Sequence, residues 1–252
     1  MASLDSVKRK VLWSAQHLNS IEPQAMRYFS TDPGKVVSEE EPQTGRIILR
    51  FRQQTPIPDE IPLIIGDAIQ NLRSSLDYLV WELVLAANNV PTDKNMFPIC
   101  STEDAFNNQV ARHRLDGVPV DAIAEIKALQ PYHYGQQWEK APIQAIDTFC
   151  NVNKHRRLLL SVLAVHASRT EIISSASGTS VQSTLSPRYH DAELAVGPVP
   201  SAIDEEMEMK GQVVTFITFK ERPAEGLEIS GCLNHLWHFV NEYLLPKFEK
   251  FF

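Results

Sequence analysis

Two short segments concentrate the polar side chains that could do chemistry, and both lie in otherwise apolar sequence. They are GDAIQNLRSSLDY (66–78) and NVNKHRR (151–157). The second contains His155, the type of side chain that titrates nearest neutral pH, between Lys154 and Arg156. A histidine flanked by two cations suits an anionic or phosphorylated ligand. We therefore expect a binding or catalytic site formed by these two segments.

The spacing of the first segment places its polar side chains on two neighbouring stripes of one predicted helix. At about 100° per residue, one stripe holds Asp67, Asn71, Ser74 and Tyr78, and the adjacent stripe holds Gln70, Arg73 and Asp77. The opposite face is aliphatic. Short or planar polar groups make directed hydrogen bonds, whereas a solvated helix face usually carries lysine and glutamate. The pattern predicts a helix whose polar side chains have defined partners.

The second segment is predicted to lie inside a long helix, at about 142–166, that is apolar on most sides. Burying its amides, lysine, histidine and arginines is costly unless partners or a ligand satisfy them. The carboxylates of Asp67 and Asp77 are the expected partners, across a contact between the two helices. A purely structural network of ion pairs would also explain both segments, and the sequence leaves that alternative open.

As a catalytic site, these residues suit cleavage of RNA by internal attack of a 2′-hydroxyl, without a metal ion. That reaction needs a base near the hydroxyl, an acid near the leaving oxygen and cations on the phosphate. His155 is the candidate acid/base, and Tyr78 could orient the substrate or donate a proton. The candidate phosphate-binding cations are Arg73, Lys154 and Arg156. Asn71 and Asn151 could bind the base or the ribose.

A metal or cofactor site is a weaker hypothesis. Asp67, Asp77 and His155 could supply oxygen and nitrogen ligands, but HxxxH and HExxH spacings are absent and the adjacent cations repel a metal ion. The chain has only 10 glycines and lacks the glycine-rich phosphate-binding and GxSxG motifs. We therefore expect no metal ion and no cofactor.

Composition excludes several classes of protein. With 252 residues, 43% hydrophobic and 22% charged, the chain is typical of a globular protein. A net charge of −7 argues against general affinity for the phosphate backbone, so we see no DNA-binding signature, although a local basic pocket is compatible with it. Three scattered cysteines and the lack of a signal peptide or a long apolar stretch predict a cytoplasmic protein without a membrane span.

The hydrophobic pattern predicts an α+β fold in one domain, 1–252, with a helical core of about four to five helices. The predicted elements, in chain order, are helices at 4–29, 60–88, 102–114, 119–129 and 142–166, with a hairpin at 36–52 inside this helical part, then a small antiparallel β-meander at about 169–222 and a C-terminal helix at 226–249.

Four blocks resemble those of an uncharacterised family of bacterial proteins. The blocks are GDAIQNLRSSLDYLV (66–80), FPI (97–99), LQPY (129–132) and NVNKHR (151–156). The resemblance covers about residues 55–165 and implies a bacterial protein, but no activity is established for that family. Asn153 departs from the family pattern, which has aspartate there.

The first block also resembles the R-x(4–6)-H motif of HEPN-type helical ribonucleases, in which arginine and histidine act without metal, commonly across a dimer interface. Arg73 stands at the arginine position, but Tyr78 replaces the histidine, which removes the usual acid/base. The resemblance implies an RNA- or nucleotide-binding homodimer with potential ribonuclease activity. The alternative is a non-enzymatic protein-interaction module in which the two segments are a structural network.

Overall fold

The computed structural model describes residues 2–41, 46–166, 170–173, 180–183, 193–198, 208–210 and 213–252. Helices dominate up to residue 155 and again after residue 228, and antiparallel strands dominate between them. The predicted α+β fold with a helical core is therefore confirmed. None of the helices in these ranges combines the length and the apolar character needed to cross a lipid bilayer.

The helices predicted before residue 130 are confirmed to within about three residues at each end. In chain order, the helices are α1 Asp5–Phe29, α2 Glu60–Ala86, α3 Glu103–Ala111, α4 Val120–Ala128, α5 Pro142–His155 and α6 Ile229–His238. A 3₁₀ segment, Pro131–Lys140, precedes α5. The predicted C-terminal helix is also present, since α6 continues as a π-helical turn, Phe239–Leu244, and a 3₁₀ segment, Leu245–Phe251.

Helix α2 is the central element of the core. Its predicted aliphatic face is fully buried: Ile65, Ile69, Leu72, Leu76, Leu79 and Leu83 have no exposed surface. Pro62 is tolerated in the first turn, where its missing N–H has no intrahelical partner in any case. Burial of each such side chain stabilises the fold by about 1.5–3 kcal/mol. The aliphatic face therefore fixes α2, and with it the direction of both polar stripes.

Helices α1 and α5 both pack against α2 in antiparallel directions. On the α1 side, Ser14 Oγ donates to the carbonyl of Ala68 (2.9 Å) and Ser6 Oγ donates to Glu82 (2.7 Å). The α5 contacts follow a regular register: Arg73 with Asp147, Gln70 with Cys150, and Gly66 with Asn153. At the last pair the end of the Asn153 side chain lies directly against Gly66, so a Cβ added there would displace that side chain.

The prediction of one helix over 142–166 is wrong in its second half. Helix α5 ends at His155, Arg156 is extended (φ −161°, ψ 161°), and strand β3 follows at Leu160–His166. A short apolar run is compatible with either a buried helix or a buried strand, and periodicity alone does not separate them. Here the run pairs antiparallel with the strand Val213–Phe219, and Val162 and Ile217 are buried at that pairing.

The described strands form three antiparallel sheets. In chain order they are β1 Gly34–Glu41, β2 Arg46–Gln53, β3 Leu160–His166, β4 Thr170–Ile173, β5 Ser180–Ser183, β6 Glu193–Pro198, β7 Glu208–Lys210 and β8 Val213–Phe219. Strands β1 and β2 pair as the predicted hairpin. The strands predicted after residue 169 are antiparallel, but they belong to three different sheets instead of one meander. Strand β6 pairs with β2, β8 pairs with β3, and β4 lies between β5 and β7.

Candidate functional site

Arg73 is the centre of a hydrogen-bonded network rather than a free phosphate-binding side chain. Its nitrogens donate to Asp77 Oδ1 (Nη1, 2.8 Å), to Asp147 Oδ1 (Nε, 3.2 Å) and to the carbonyl of Phe97 (Nη2, 3.1 Å). The side chain is only 12% exposed. Burial lowers the pKa of Arg73, but the two carboxylates outweigh that effect and raise the pKa overall, so the guanidinium stays charged.

Three of the four sequence blocks meet around the loop that begins at Phe97. Asp77 Oδ1 also accepts the N–H of Phe97 (2.9 Å), so the first block binds this loop through both Arg73 and Asp77. From the other side, the buried Gln130 amide donates to the carbonyl of Pro98 and accepts the N–H of Cys100, both at 2.9 Å. These side chains satisfy backbone groups that have no strand partner. Their role is architectural.

The second segment lies at the surface instead of inside a buried helix. Lys154 and His155 are exposed at the end of α5, Arg156 pairs with Glu221, and Arg157 pairs with Asp59. The reason is the early end of α5: the chain turns into β3, which leaves these basic residues at the end of a helix. Cys150, further back on α5, is buried, and burial raises the pKa of its thiol.

The expected pairing of these basic residues with Asp67 and Asp77 does not form. Asp77 binds Arg73 on its own helix, and the Asp67 side chain is exposed. The partner of Arg73 on α5 is Asp147, whose Oδ2 also accepts from Asn151 (2.9 Å). His155 is eight residues beyond Asp147, about 12 Å along the helix axis. The structure therefore does not bring His155 to Arg73.

The other polar stripe of α2 faces α1, and between the two helices lies a cavity of about 480 Å³ that we call the cationic groove. The residues that line it are Ser6, Arg9, Lys10 and Trp13 of α1, and Asn71 and Tyr78 of α2. Arg9, Lys10 and Trp13 follow Ser6 by three, four and seven residues, which puts all four on one face of the helix. Asn71 and Tyr78 were predicted as site residues, and the structure brings them together here.

The cationic groove combines positive charge with uncovered aromatic rings. Lys10 Nζ lies 3.3 Å from Asn71 Oδ1 and 5.3 Å from the centroid of the Tyr78 ring. Arg9 is exposed and pairs with no other residue in the described ranges. Trp13 is 54% exposed and Tyr78 is 44% exposed, although both are large apolar rings. Such rings beside cations are a feature of sites that stack bases and bind phosphate.

A second cavity, of about 450 Å³, adjoins the cationic groove and shares Ser6 and Tyr78 with it. Its remaining lining residues are Asp77, Trp81, Glu82 and Asn95, and we call it the acidic pocket. Glu82 is held in place by α1 and the residues just before it: its Oε1 accepts from Ser6 Oγ (2.7 Å) and its Oε2 accepts from the N–H of Ser3 (3.2 Å). The exposed ring of Trp81 lies at the same cavity.

No model of a protein family, no curated protein and no solved structure matches this chain. A function is therefore argued from the geometry of the chain itself. Among the described residues, no group of three or more histidine, cysteine, aspartate or glutamate side chains is placed to hold a metal ion.

Sequence reasoning missed Arg9, Lys10 and Trp13. Within KRKVLW (8–13) these residues have the spacing of one helix face, which is a usable signal. However, charged residues on an amphipathic helix usually mark its solvated side. Only the packing of α1 beside Tyr78 gives this face a second wall.

Proposed function

We propose that this protein binds a nucleotide unit of single-stranded RNA in the cationic groove between α1 and α2. The observation that carries the proposal is that Arg9 and Lys10 share one cavity with the exposed rings of Trp13 and Tyr78. Cations bind the phosphate, and aromatic faces stack a base and exclude water from it. The volume of about 480 Å³ is within the range of about 300–1,000 Å³ usual for small-ligand sites.

The charge distribution supports a local contact with one or two phosphates. With a net charge of −7, most of the surface repels a polyanion, so affinity depends on the two cations of the groove. For single strands, log K falls with log[salt] with a slope of about −0.7 per neutralised phosphate. We expect a slope of about −1.4 for two contacts. A much steeper slope would indicate non-specific binding elsewhere.

Asn71 supplies the directed polar contact of the site. Its Oδ1 accepts from Lys10, and its Nδ2 donates to the carbonyl of Asp67 (2.8 Å), so the amide orientation is fixed. A fixed amide beside stacking rings suits a ribose hydroxyl or a base edge. This favours a nucleotide over inorganic phosphate, which would use the cations alone.

Ribonuclease activity is a further prediction, and it needs a group that moves a proton. Tyr78 lies in the cationic groove, whereas His155 is exposed at the far end of α5. Cleavage of a single-stranded RNA oligonucleotide without metal, compared between wild type and Tyr78→Phe and His155→Ala, measures the contribution of each. Equal rates in all three proteins would contradict a catalytic role for either residue.

The polar network around Arg73 supports a different interpretation of the second stripe of α2. Three of its bonds join α2 to α5 or to the loop at Phe97, and a fourth links Arg73 to Asp77 within α2. This agrees with the alternative that part of the first segment is a structural hydrogen-bond and ion-pair network. Arg73 therefore belongs to the scaffold that carries the cationic groove.

The binding proposal is tested by titrating nucleoside monophosphates and a short unstructured RNA while recording tryptophan fluorescence, because Trp13 lines the groove. Lys10→Gln and Arg9→Gln should each weaken binding about tenfold, or about 1.4 kcal/mol. Lys140→Gln is the matched control, since it removes the same charge from an exposed residue outside both cavities. Equal affinities for all four proteins, or no binding to wild type, would overturn the proposal.

A further inference from the structure

The acidic pocket continues the cationic groove, because Ser6 and Tyr78 line both cavities. A nucleotide whose phosphate lies near Arg9 and Lys10 therefore has a place for its base beyond Tyr78. Trp81 supplies a second exposed ring there, on the same side of α2 as Tyr78 and three residues further along the helix. The polar groups of this pocket then decide which base it accepts.

Two polar side chains of the acidic pocket, Asp77 and Asn95, are already engaged in bonds to loops. Asp77 Oδ1 accepts from both Arg73 and the N–H of Phe97. The Asn95 amide accepts the N–H of Thr92 (2.7 Å) and donates to the carbonyl of Asp116 (3.0 Å). Both groups hold loops in place.

Glu82 is different, because one hydrogen bond to each of its two oxygens orients the carboxylate and leaves further acceptor positions. Each oxygen accepts one bond, from Ser6 Oγ or from the N–H of Ser3. A carboxylate oxygen accepts about two hydrogen bonds, so each oxygen keeps one acceptor position. The bonds from Ser6 and Ser3 fix the plane of the carboxylate and leave acceptor positions for a ligand. The pocket thus presents a fixed pair of acceptors beside an aromatic ring.

From this arrangement we infer that the site selects guanine, an inference that rests on the proposed nucleotide binding. Guanine presents two adjacent donors, N1–H and the 2-amino group, which match the two acceptor positions of Glu82. Adenine and cytosine present a donor beside an acceptor, and uracil presents one donor between two acceptors. An acceptor facing a carboxylate leaves both groups without a hydrogen bond, which costs affinity. Guanine alone satisfies both oxygens of Glu82.

The test compares GMP, IMP, AMP, CMP and UMP on the intact chain by calorimetry or tryptophan fluorescence. GMP should bind at least tenfold more tightly than AMP, CMP or UMP. IMP keeps N1–H but lacks the 2-amino group, so its affinity should lie between those of GMP and AMP. Equal affinity for all five would overturn guanine selection while leaving the nucleotide proposal intact. No binding of any of them would overturn both.

The variant Glu82→Gln locates the selectivity. An amide offers one acceptor and one donor group in place of two acceptors, so GMP should lose its preference over AMP, whose donor beside an acceptor matches the amide. Glu60→Gln is the matched control, since it removes the same charge from an exposed position on the same helix. Unaltered GMP preference in Glu82→Gln would overturn the assignment. If that variant fails to fold, the comparison of GMP with IMP on the wild type still decides.

Discussion

Replacing Arg73 by methionine should destabilise the protein strongly. Methionine keeps much of the side-chain length but leaves Asp77 and Asp147 without their cation. Removing one partner of a buried ion pair costs about 3–5 kcal/mol. The two carboxylates are 36% and 25% exposed, so solvent compensates part of the stranded charge. We therefore expect a loss near the lower end, about 3 kcal/mol.

The measurement is urea unfolding followed by far-UV circular dichroism, with the free energy extrapolated to water. Arg112→Met is the control, because Arg112 is exposed at the end of α3 and should change stability by less than about 0.5 kcal/mol. A triple variant that adds Asp77→Asn and Asp147→Asn should recover much of the loss, since the stranded charges are then removed. An effect of Arg73→Met as small as the control would refute the reasoning, and so would a triple variant less stable than the single one.

Two further predictions concern packing and pH. Gly66→Ala should leave stability changed by less than about 1 kcal/mol, because displacing the Asn153 side chain offsets the gain of about 1 kcal/mol in helix propensity. In an Asn153→Ala background the same change should stabilise by about 1 kcal/mol, and urea unfolding that gives the same effect in both backgrounds would contradict the contact. Burial first, and then Glu228, raises the pKa of Cys232 from 9.0 to about 11. Because the unfolded thiol ionises first, this contribution to stability is fully present below pH 9 and is lost as pH rises to about 11, by about 2–3 kcal/mol. Unfolding at pH 8 and 10.5 should show a larger loss for wild type than for Cys232→Ala, and equal losses would contradict it.

Helical geometry predicted two adjacent polar stripes on α2. They follow from a rotation of 100° per residue, with Tyr78 on one and Arg73 on the other, and the expectation that both contribute to one site with residues 151–157 is not met by the packing. What spacing does not encode is the neighbour that each stripe meets. The stripe with Tyr78 faces α1, whereas Arg73 faces α5 and the loop at Phe97. These partners depend on tertiary packing, which no local pattern specifies.

The second segment was misplaced because its flanks are ambiguous. The run LLLSVLAV (158–165) has the composition of a buried helix and equally of a buried strand. Its pairing with β8, which lies about 50 residues later, resolves the ambiguity. Once the run is a strand, Lys154 and His155 are at a helix end instead of a helix centre, and their exposure follows.

The hydrogen bonds of Gln130 with Pro98 and Cys100 have a consequence for experiments on binding. Asn95 donates to the carbonyls of Arg114 (3.4 Å) and Asp116 (3.0 Å). The Gln130 and Asn95 amides thus attach the segment that contains α3 and α4 to the rest of the chain. Both amides are uncharged, so dissolved ions weaken their hydrogen bonds far less than they screen the exposed cation of Arg9. Raising the salt concentration should therefore weaken ligand binding without detaching the segment that contains α3 and α4. A salt series separates occupancy of the groove from loss of the fold.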